Sequence, residues 1–327
     1  MTQTPFENLN PDRVIDAIES LGYLSDLRVF PLNSYENRVY QFGIEGGDPI
    51  IAKFYRPQRW SEAQIREEHS FSLALEEAEI PIVAPLQRDG ESLFSFGEHR
   101  FSLYPRRGGH APDLSDLETL YRLGQQLGRL HAIGKLKTFD HRPTLSLQSF
   151  AINSRTFLIE NDFIPPSLLD AYTTLSQHLI EKMTTILETT PFKPQRLHGD
   201  CHPGNILLRP DSLWLVDLDD ARNGPAIQDL WMLLSGDYSQ QCIQLAEVVE
   251  GYEEFCEFER REIPLIETLR TLRLMHYAAW LARRWHDPAF PQAFTWFNSE
   301  RYWAEHILEL REQFAALDAI PLRLPDR

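Results

Sequence analysis

The apolar positions of this chain change period along its length. Asn10-Pro11-Asp12 opens a helix with Val14, Ile15, Ala17, Ile18 and Leu21 on its inner side, and Gly22 ends it. The runs that follow are short and strand-like. Residues 27–32 and 38–43 read as strands on either side of the polar turn Asn33-Ser34-Tyr35-Glu36-Asn37, and 49–55 reads as a third. Ser61-Glu-Ala-Gln carries N-cap chemistry for a helix whose Ile65, Phe71, Leu73, Leu75 and Ala78 suit packing on a sheet. Ile80 to Pro85 predicts entry to another strand, and 93–96 pairs with 99–104 through Gly97-Glu98. Pro105-Arg-Arg-Gly-Gly109 then breaks the pattern as a linker would.

From Leu114 the spacing turns helical, through Leu117, Leu120, Tyr121, Gly124, Leu127, Gly128, Leu130 and His131, with the two glycines allowing close packing. His131 is expected as a hydrogen-bonded core group. His141-Arg-Pro-Thr reads as a loop reaching toward the site, with no assignable chemistry. A long helix spans about 166–189, and further helices are expected from Ile227 and over roughly 239–257, 263–286 and 299–317. Trp280, Arg283, Arg284, Trp285 and His286 form an aromatic and basic patch, expected to be structural. Between the helices, residues 197–219 read as a loop, a short strand, a tight turn at Arg-Pro-Asp-Ser and a second strand.

The totals narrow the class. A chain of 327 residues can build two lobes with substantial cores, and 43% hydrophobic with 24% charged residues is ordinary for a globular enzyme. A net charge of −16 argues against nucleic acid or an anionic membrane face as partners. Three cysteines (Cys201, Cys242, Cys256) form no paired framework, the N-terminus lacks signal-peptide character, and no apolar run reaches membrane-spanning length. A cytoplasmic protein is expected.

The chemistry is concentrated in Leu-His-Gly-Asp200-Cys-His-Pro-Gly-Asn205 and in Asp217 beyond the turn. A carboxylate beside an attacking hydroxyl orients it and takes its proton, while an amide and a second carboxylate supply hard oxygens to a divalent cation. Base, Asn five residues on and Asp on the next strand is the order of a kinase catalytic loop followed by its metal-binding Asp, with His-Gly-Asp for His-Arg-Asp and Asp-Leu-Asp for Asp-Phe-Gly. An exposed loop with turn-capping Asp and Asn does not account for the combination, and His198, Cys201 and His202 lack a second cluster to complete a metal set. Lys53 sits in an apolar run, where a lysine needs partners such as phosphates or a helix carboxylate. Glu67 and Glu68 are the candidates, and Glu68 is preferred because it shares a face with Phe71 and Leu75. Asp219 and Asp220 add negative charge beside Asp217, as metal ligands or behind them, and Asp229 can brace the loop's backbone.

His-Gly-Asp-x-His-x-x-Asn resembles the loop of the aminoglycoside phosphotransferase and choline kinase branch of the kinase-like fold. Longer blocks are more specific. P-L-N-S-Y-E-N-R-V-Y-Q-F at 31–42, K-F-Y-R-P-Q-R-W at 53–60, L-H-G-D-C-H-P-G-N-I-L at 197–207 and V-D-L-D-D-A-R-N-G-P-A-I-Q-D-L-W-M-L-L at 216–234 resemble the bacterial stress response kinase A (YihE/RdoA) family, over nearly the whole chain. The resemblance implies an α+β, bilobal protein-kinase-like fold. Residues 1–106 would form a small β-rich nucleotide-binding lobe with one main helix, and 107–327 a larger, mostly helical catalytic and substrate lobe. It implies an ATP- and Mg2+-dependent serine/threonine protein kinase, cytoplasmic and monomeric, linked to envelope stress and protection from cell death, with autophosphorylation left open. Asp200 takes the proton-acceptor role and Asn205 and Asp217 the magnesium ligands. Ser34 contacts ATP, and the hinge near Tyr104 and Arg106 receives the adenine edge. The segment after Asp217 is short and has no Ala-Pro-Glu landmark. A small-molecule kinase acting on an alcohol stays open as the alternative, as does a nucleotide-binding scaffold without turnover.

Overall fold

The computed structural model describes residues 5–325. In chain order the elements begin with α1 (Pro11–Glu19), β1 (Ser25–Leu32), β2 (Arg38–Ile44), β3 (Ile50–Phe54), α2 (Glu62–Glu77), β4 (Phe94–Phe96) and β5 (His99–Pro105). There follow α3 (Leu117–Gly134), α4 (Asn153–Glu160), α5 (Leu169–Thr189), β6 (Gln195–Leu197), β7 (Ile206–Arg209), β8 (Ser212–Leu215) and β9 (Arg222–Gly224). The last are α6 (Ile227–Trp231), α7 (Tyr238–Tyr252), α8 (Ile266–Arg283), α9 (Ala289–Ala293) and α10 (Glu300–Ala316). Among the described residues no helix is long and apolar enough to cross a membrane.

Two compact units result, and they are not two consecutive blocks of sequence. The first runs to Ser115 and also takes in Phe139–Arg142 and Asp200–Ala221; the second holds Asp116–Thr138, Pro143–Gly199 and the chain from Arg222 onward. The first unit is organised by an antiparallel sheet in the order β1-β2-β3-β5-β4. Its register puts Pro31, Tyr40, Ala52 and Leu103 in one cross-strand row, and Phe42 and Ile50 in the next. Val14, Ala17 and Ile18 of α1 join Tyr40, Phe42, Ile50, Ala52 and Leu103 in a buried cluster, as the spacing of the first helix requires. The opposite face carries the rows Leu32-Val39-Lys53-Ser102 and Phe30-Gln41-Ile51-Tyr104.

Helix α2 starts as its sequence predicts. Ser61 accepts from Gln64 N while the Gln64 side chain accepts from Ser61 N, a reciprocal cap worth about 1 kcal/mol. The strand expected at 80–85 does not form. Pro81 and Pro85 have no N–H to give a ladder, and only Ile82 makes an isolated bridge, to Leu215.

In the second unit α3 packs on α7 at a distance only glycine permits. A β-carbon on Gly124 would stand 2.0 Å from the Val248 carbonyl oxygen, and one on Gly251 would stand 2.1 Å from that of Tyr121. The aromatic and basic patch straddles the end of α8, and part of it packs within the unit. Arg283 lies over Phe157 and donates to the Asn153 carbonyl, and Arg284 lies over Trp280.

Candidate active site

The hairpin of β7 and β8 is pinned at its base. His202 Nδ1 accepts from Gly204 N at 3.0 Å and its carbonyl accepts from Asn205 N at 2.9 Å, closing the turn Pro203–Asn205. Asn205 then reaches both ways. Its Nδ2 donates to the Asp200 carbonyl at 2.9 Å, and its own carbonyl accepts from Val216 N at 3.0 Å. The amide thus ties the backbone at Asp200 to the residue before Asp217. With Nδ2 committed, Oδ1 points the other way and makes no hydrogen bond to the described residues. The Asp200 side chain is 22% exposed, and one of its oxygens lies 3.5 Å from His202 Nε2. Asp217 has φ 62° and ψ 68°, a left-handed conformation that Asp tolerates better than most residues, and its carboxylate is 54% exposed.

Lys53 projects from the centre of the sheet face opposite α1. Its side chain is 9% exposed, and its ammonium lies 2.9 Å from Asp217 Oδ1 and 3.1 Å from Asp219 Oδ1. Burial alone would lower its pKa, but the two carboxylates outweigh burial and hold it well above the usual lysine value. The same contact acts on Asp219, where burial opposes ionisation and the Lys53 charge overcomes it, so its pKa is lowered. The ion pair expected between Glu68 and Lys53 is not formed. Glu68 is buried and accepts from Ser72 Oγ at 2.8 Å, one turn along its own helix, while Lys53 is taken up by the aspartates. Glu67 is engaged elsewhere, its carboxylate accepting the N–H groups of Asp140, His141 and Arg142 at 2.5, 2.9 and 2.7 Å. Arg142, so oriented, donates to the carbonyls of Asp219 and Ala221. The loop beginning at His141, to which the sequence assigns no chemistry, therefore clamps the segment after Asp217.

Other expected residues lie around this centre. Ser34 is half-buried in the loop joining β1 to β2. Tyr104 ends the row that carries Ile51, and its hydroxyl meets that of Tyr55 at 3.0 Å, which in turn meets His69 Nε2 at 2.8 Å. Arg106 is exposed and donates from Nε to Gln41 Oε1 at 2.7 Å. Sequence reasoning missed Val39 and Leu32, apolar residues in register beside Lys53 on the same face. The two-residue alternation that placed Lys53 opposite the core could have found them.

Within the second unit, Asp229 forms a buried cradle for the two residues preceding Asp200. Its Oδ2 accepts from His198 N and its Oδ1 from Gly199 N, each at 2.8 Å, and His131 Nε2 is 2.9 Å from Oδ2. Burial opposes the charge on Asp229, but the bond from His131 and these amides keep its pKa lowered. His131 is wholly buried, with Tyr252 Oη at 3.0 Å from Nδ1, so the expectation of a core histidine holds. Gly199 has φ +87°, which favours glycine at the approach to Asp200. Beneath the cradle Glu262 accepts from Ile227 N, the first residue of α6, at 3.0 Å, and burial pushes its carboxyl up to about 7.

The donor set is one of hard oxygens. Asn205 Oδ1 and the exposed Asp217 carboxylate could hold a divalent cation. No three His, Cys, Asp or Glu side chains converge as ligands among the described residues, so such a cation would draw its other ligands from phosphates and water.

Comparison with known proteins agrees with this chemistry. Residues 28–266 match the phosphotransferase enzyme family. Stress response kinase A of Escherichia coli (strain K12) is 45% identical over 319 residues, covering 98% of this chain and 97% of the relative. Serine/threonine protein kinase RdoA of Salmonella typhimurium (strain LT2) is 44% identical with the same coverage. Among solved structures, amicoumacin kinase hAmiN in complex with AMP-PNP, Ca2+ and Ami superposes with a TM-score of 0.74 at 17% identity, covering 96% of this chain and 95% of that one. A microcompartment-associated aminopropanol kinase gives 0.69 at 16% identity, covering 95% and 99%. At such identities these two structures speak for the fold alone.

Proposed function

The chain belongs to the phosphotransferase enzyme family, within its stress response kinase A group, and from that premise we propose how its residues divide the work of a serine/threonine protein kinase. The enzyme uses ATP and a divalent cation, which we take to be Mg2+. The γ-phosphoryl group passes to a Ser or Thr hydroxyl of a protein. Asp200 orients that hydroxyl and accepts its proton, and Asn205 Oδ1 with the Asp217 carboxylate holds the cation. A divalent cation held by these two side chains would supply positive charge to offset the negative charge that builds during transfer.

The observation that carries this reading is the placing of one buried ammonium against two aspartates. Asp219 is committed to Lys53 and to Asn37, and Asp220 is paired with Arg59. Asp217 keeps a largely open carboxylate whose charge the ammonium only partly offsets, so the site favours a cation that arrives with nucleotide. Lys53 fixes Asp217 and stands within the sheet face where Leu32, Val39 and Ile51 offer apolar contact for a base. Ser34 and the loop around it serve the phosphates, and the hinge backbone at Tyr104 and Arg106 the adenine edge. Glu68 is bonded to Ser72 and makes no ion pair with Lys53, on which its charge acts only from a distance. The proposal further includes nucleotide binding by the chain to residue 106 and catalysis and substrate binding by the chain from 107, whose Asp200–Ala221 stretch packs in the first compact unit, together with a cytoplasmic monomer and service in envelope stress.

One observation favours a second reading, a small alcohol as acceptor. Only Leu218 to Ala226 separate Asp217 from α6, and Ala221 to Leu230 are buried, so the chain offers no long segment on which a peptide could be laid. Transfer of labelled phosphate from ATP to a panel of proteins and small alcohols decides between them. Label on proteins at Ser or Thr is expected; label confined to the small molecules would remove the protein-kinase reading.

A further inference from the structure

The β1–β2 loop contains no glycine between Asn33 and Asn37, and it is held by side chains from elsewhere in its unit. Two routes lead from its tip to the residues just after Asp217. In the first, Asn37 is 4% exposed; its Oδ1 accepts from Arg56 N at 3.0 Å and its Nδ2 donates to Asp219 Oδ2 at 3.3 Å. In the second, the Glu36 carboxylate lies 3.2 Å from Arg56 Nε and 3.9 Å from Arg59 Nε, and Arg59 Nη2 lies 2.9 Å from Asp220 Oδ1. Arg56 also takes the loop's main chain, donating to the carbonyls of Glu36 at 2.9 Å and Tyr35 at 3.3 Å. The guanidinium of Arg59 is held over the Trp60 ring at 4.2 Å, and Arg142 lies over the same ring at 4.2 Å. Asn37 and Asp219 are 182 residues apart in sequence, Arg59 and Asp220 161, so neither contact is a by-product of local turn formation.

We propose that Asn37 and Arg59 are positioning residues that latch the β1–β2 loop to the Asp217–Asp220 segment, fixing the phosphate-binding loop before nucleotide arrives. The inference rests on the reading of this unit as an ATP site. A glycine-rich loop folds its amides around phosphate at the moment of binding. A loop of ordinary residues has fewer conformations that present its N–H groups, and holding it in one of them beforehand lowers the ordering cost of binding. The latch also explains why two aspartates follow Asp217 without being needed for the cation: each anchors one route.

The test uses the full-length enzyme and its Asn37→Ala, Arg59→Ala and milder Asp220→Asn variants, together with the charge-conserving Arg59→Lys. KM for ATP and kcat are measured by labelled-phosphate transfer, and amide hydrogen exchange of residues 33–37 is followed without nucleotide. The latch predicts a KM for ATP raised about tenfold, kcat changed less than about threefold, faster loop exchange, and partial return of KM and loop exchange in Arg59→Lys relative to Arg59→Ala. A residue that merely supports the fold would lower the melting temperature and leave KM and loop exchange where they were, and that result overturns the proposal. Should the parent fail to transfer phosphate from ATP, the functional reading fails, while loop exchange in Asp220→Asn still decides whether the latch exists.

Discussion

Lys53 and Asp217 meet at 2.9 Å across 164 residues of chain, and the ammonium that makes this contact is almost fully enclosed. The pairing joins the centre of the sheet to the end of the hairpin, so the two halves of the candidate site are one electrostatic unit.

Replacing Lys53 by Met should therefore do two things. It leaves the buried Asp219 charge without its main partner, at a cost on the order of 3 kcal/mol, and it lowers phosphotransfer at least about a hundredfold. Urea denaturation at several pH values reads the first effect. In the parent, the lowered pKa of Asp219 contributes stability that is present above the ordinary carboxylate value near 3.8 and is lost as pH falls through the lower folded value. In the variant that acid-side slope should shrink; an unchanged slope would mean that Asp219 is held by other groups.

Asp200→Asn keeps the shape of the side chain and removes its ability to take a proton. Phosphotransfer should fall by several orders of magnitude while ATP binding persists, as followed by single-turnover transfer and by calorimetry with nucleotide and Mg2+. Equal turnover in variant and parent would falsify the assignment of the base.

Asp229 satisfies two buried N–H groups at once. In Asp229→Ala both are orphaned, and destabilisation of several kcal/mol is expected, with the residues before Asp200 released. Asp229→Asn can satisfy one of them and should fall between, so the graded series Asp, Asn, Ala in chemical denaturation is the check. Equal stability of the Asn and Ala variants would show that the two amides are not held independently.

Glu262 gives a pH signature of opposite sign. Its folded pKa, pushed up to about 7 from the ordinary 4.5, means that the native state binds the extra proton between those values. The contribution is fully present below about 4.5 and is lost as pH rises through 7, roughly 3 kcal/mol across the window. Glu262→Gln keeps an acceptor for Ile227 N and cannot ionise, so it should flatten this part of the stability profile and gain on the parent at about pH 8.

Much of this arrangement is legible before any coordinates. The Ser61 cap, the hairpin around Arg209 to Ser212 and the long helices follow from local chemistry and short-range periodicity, and each appears close to where the spacing puts it. Errors cluster where long-range partners decide. Residues 80–85 have a strand's composition, but their prolines cannot join a ladder and the chain there pairs only at Ile82. Glu68 faces inward as expected, yet the aspartates that claim Lys53 lie far along the chain. Glu67 looks like any helical surface glutamate until the amides of 140–142 arrive beside it. The short helix α4 and the wider turn at Gln148–Ile152 before it escaped notice, because the wide turn shifts the apolar spacing away from 3.6 residues.

The packed stretch between Asp217 and α6 bears on how such an enzyme is governed. A flap that must be ordered by an added phosphate needs slack chain, and here Leu218 to Ala226 is spent on one tight turn and a three-residue strand. With Ala221 to Leu230 buried as well, this stretch has no slack for a switch of that kind.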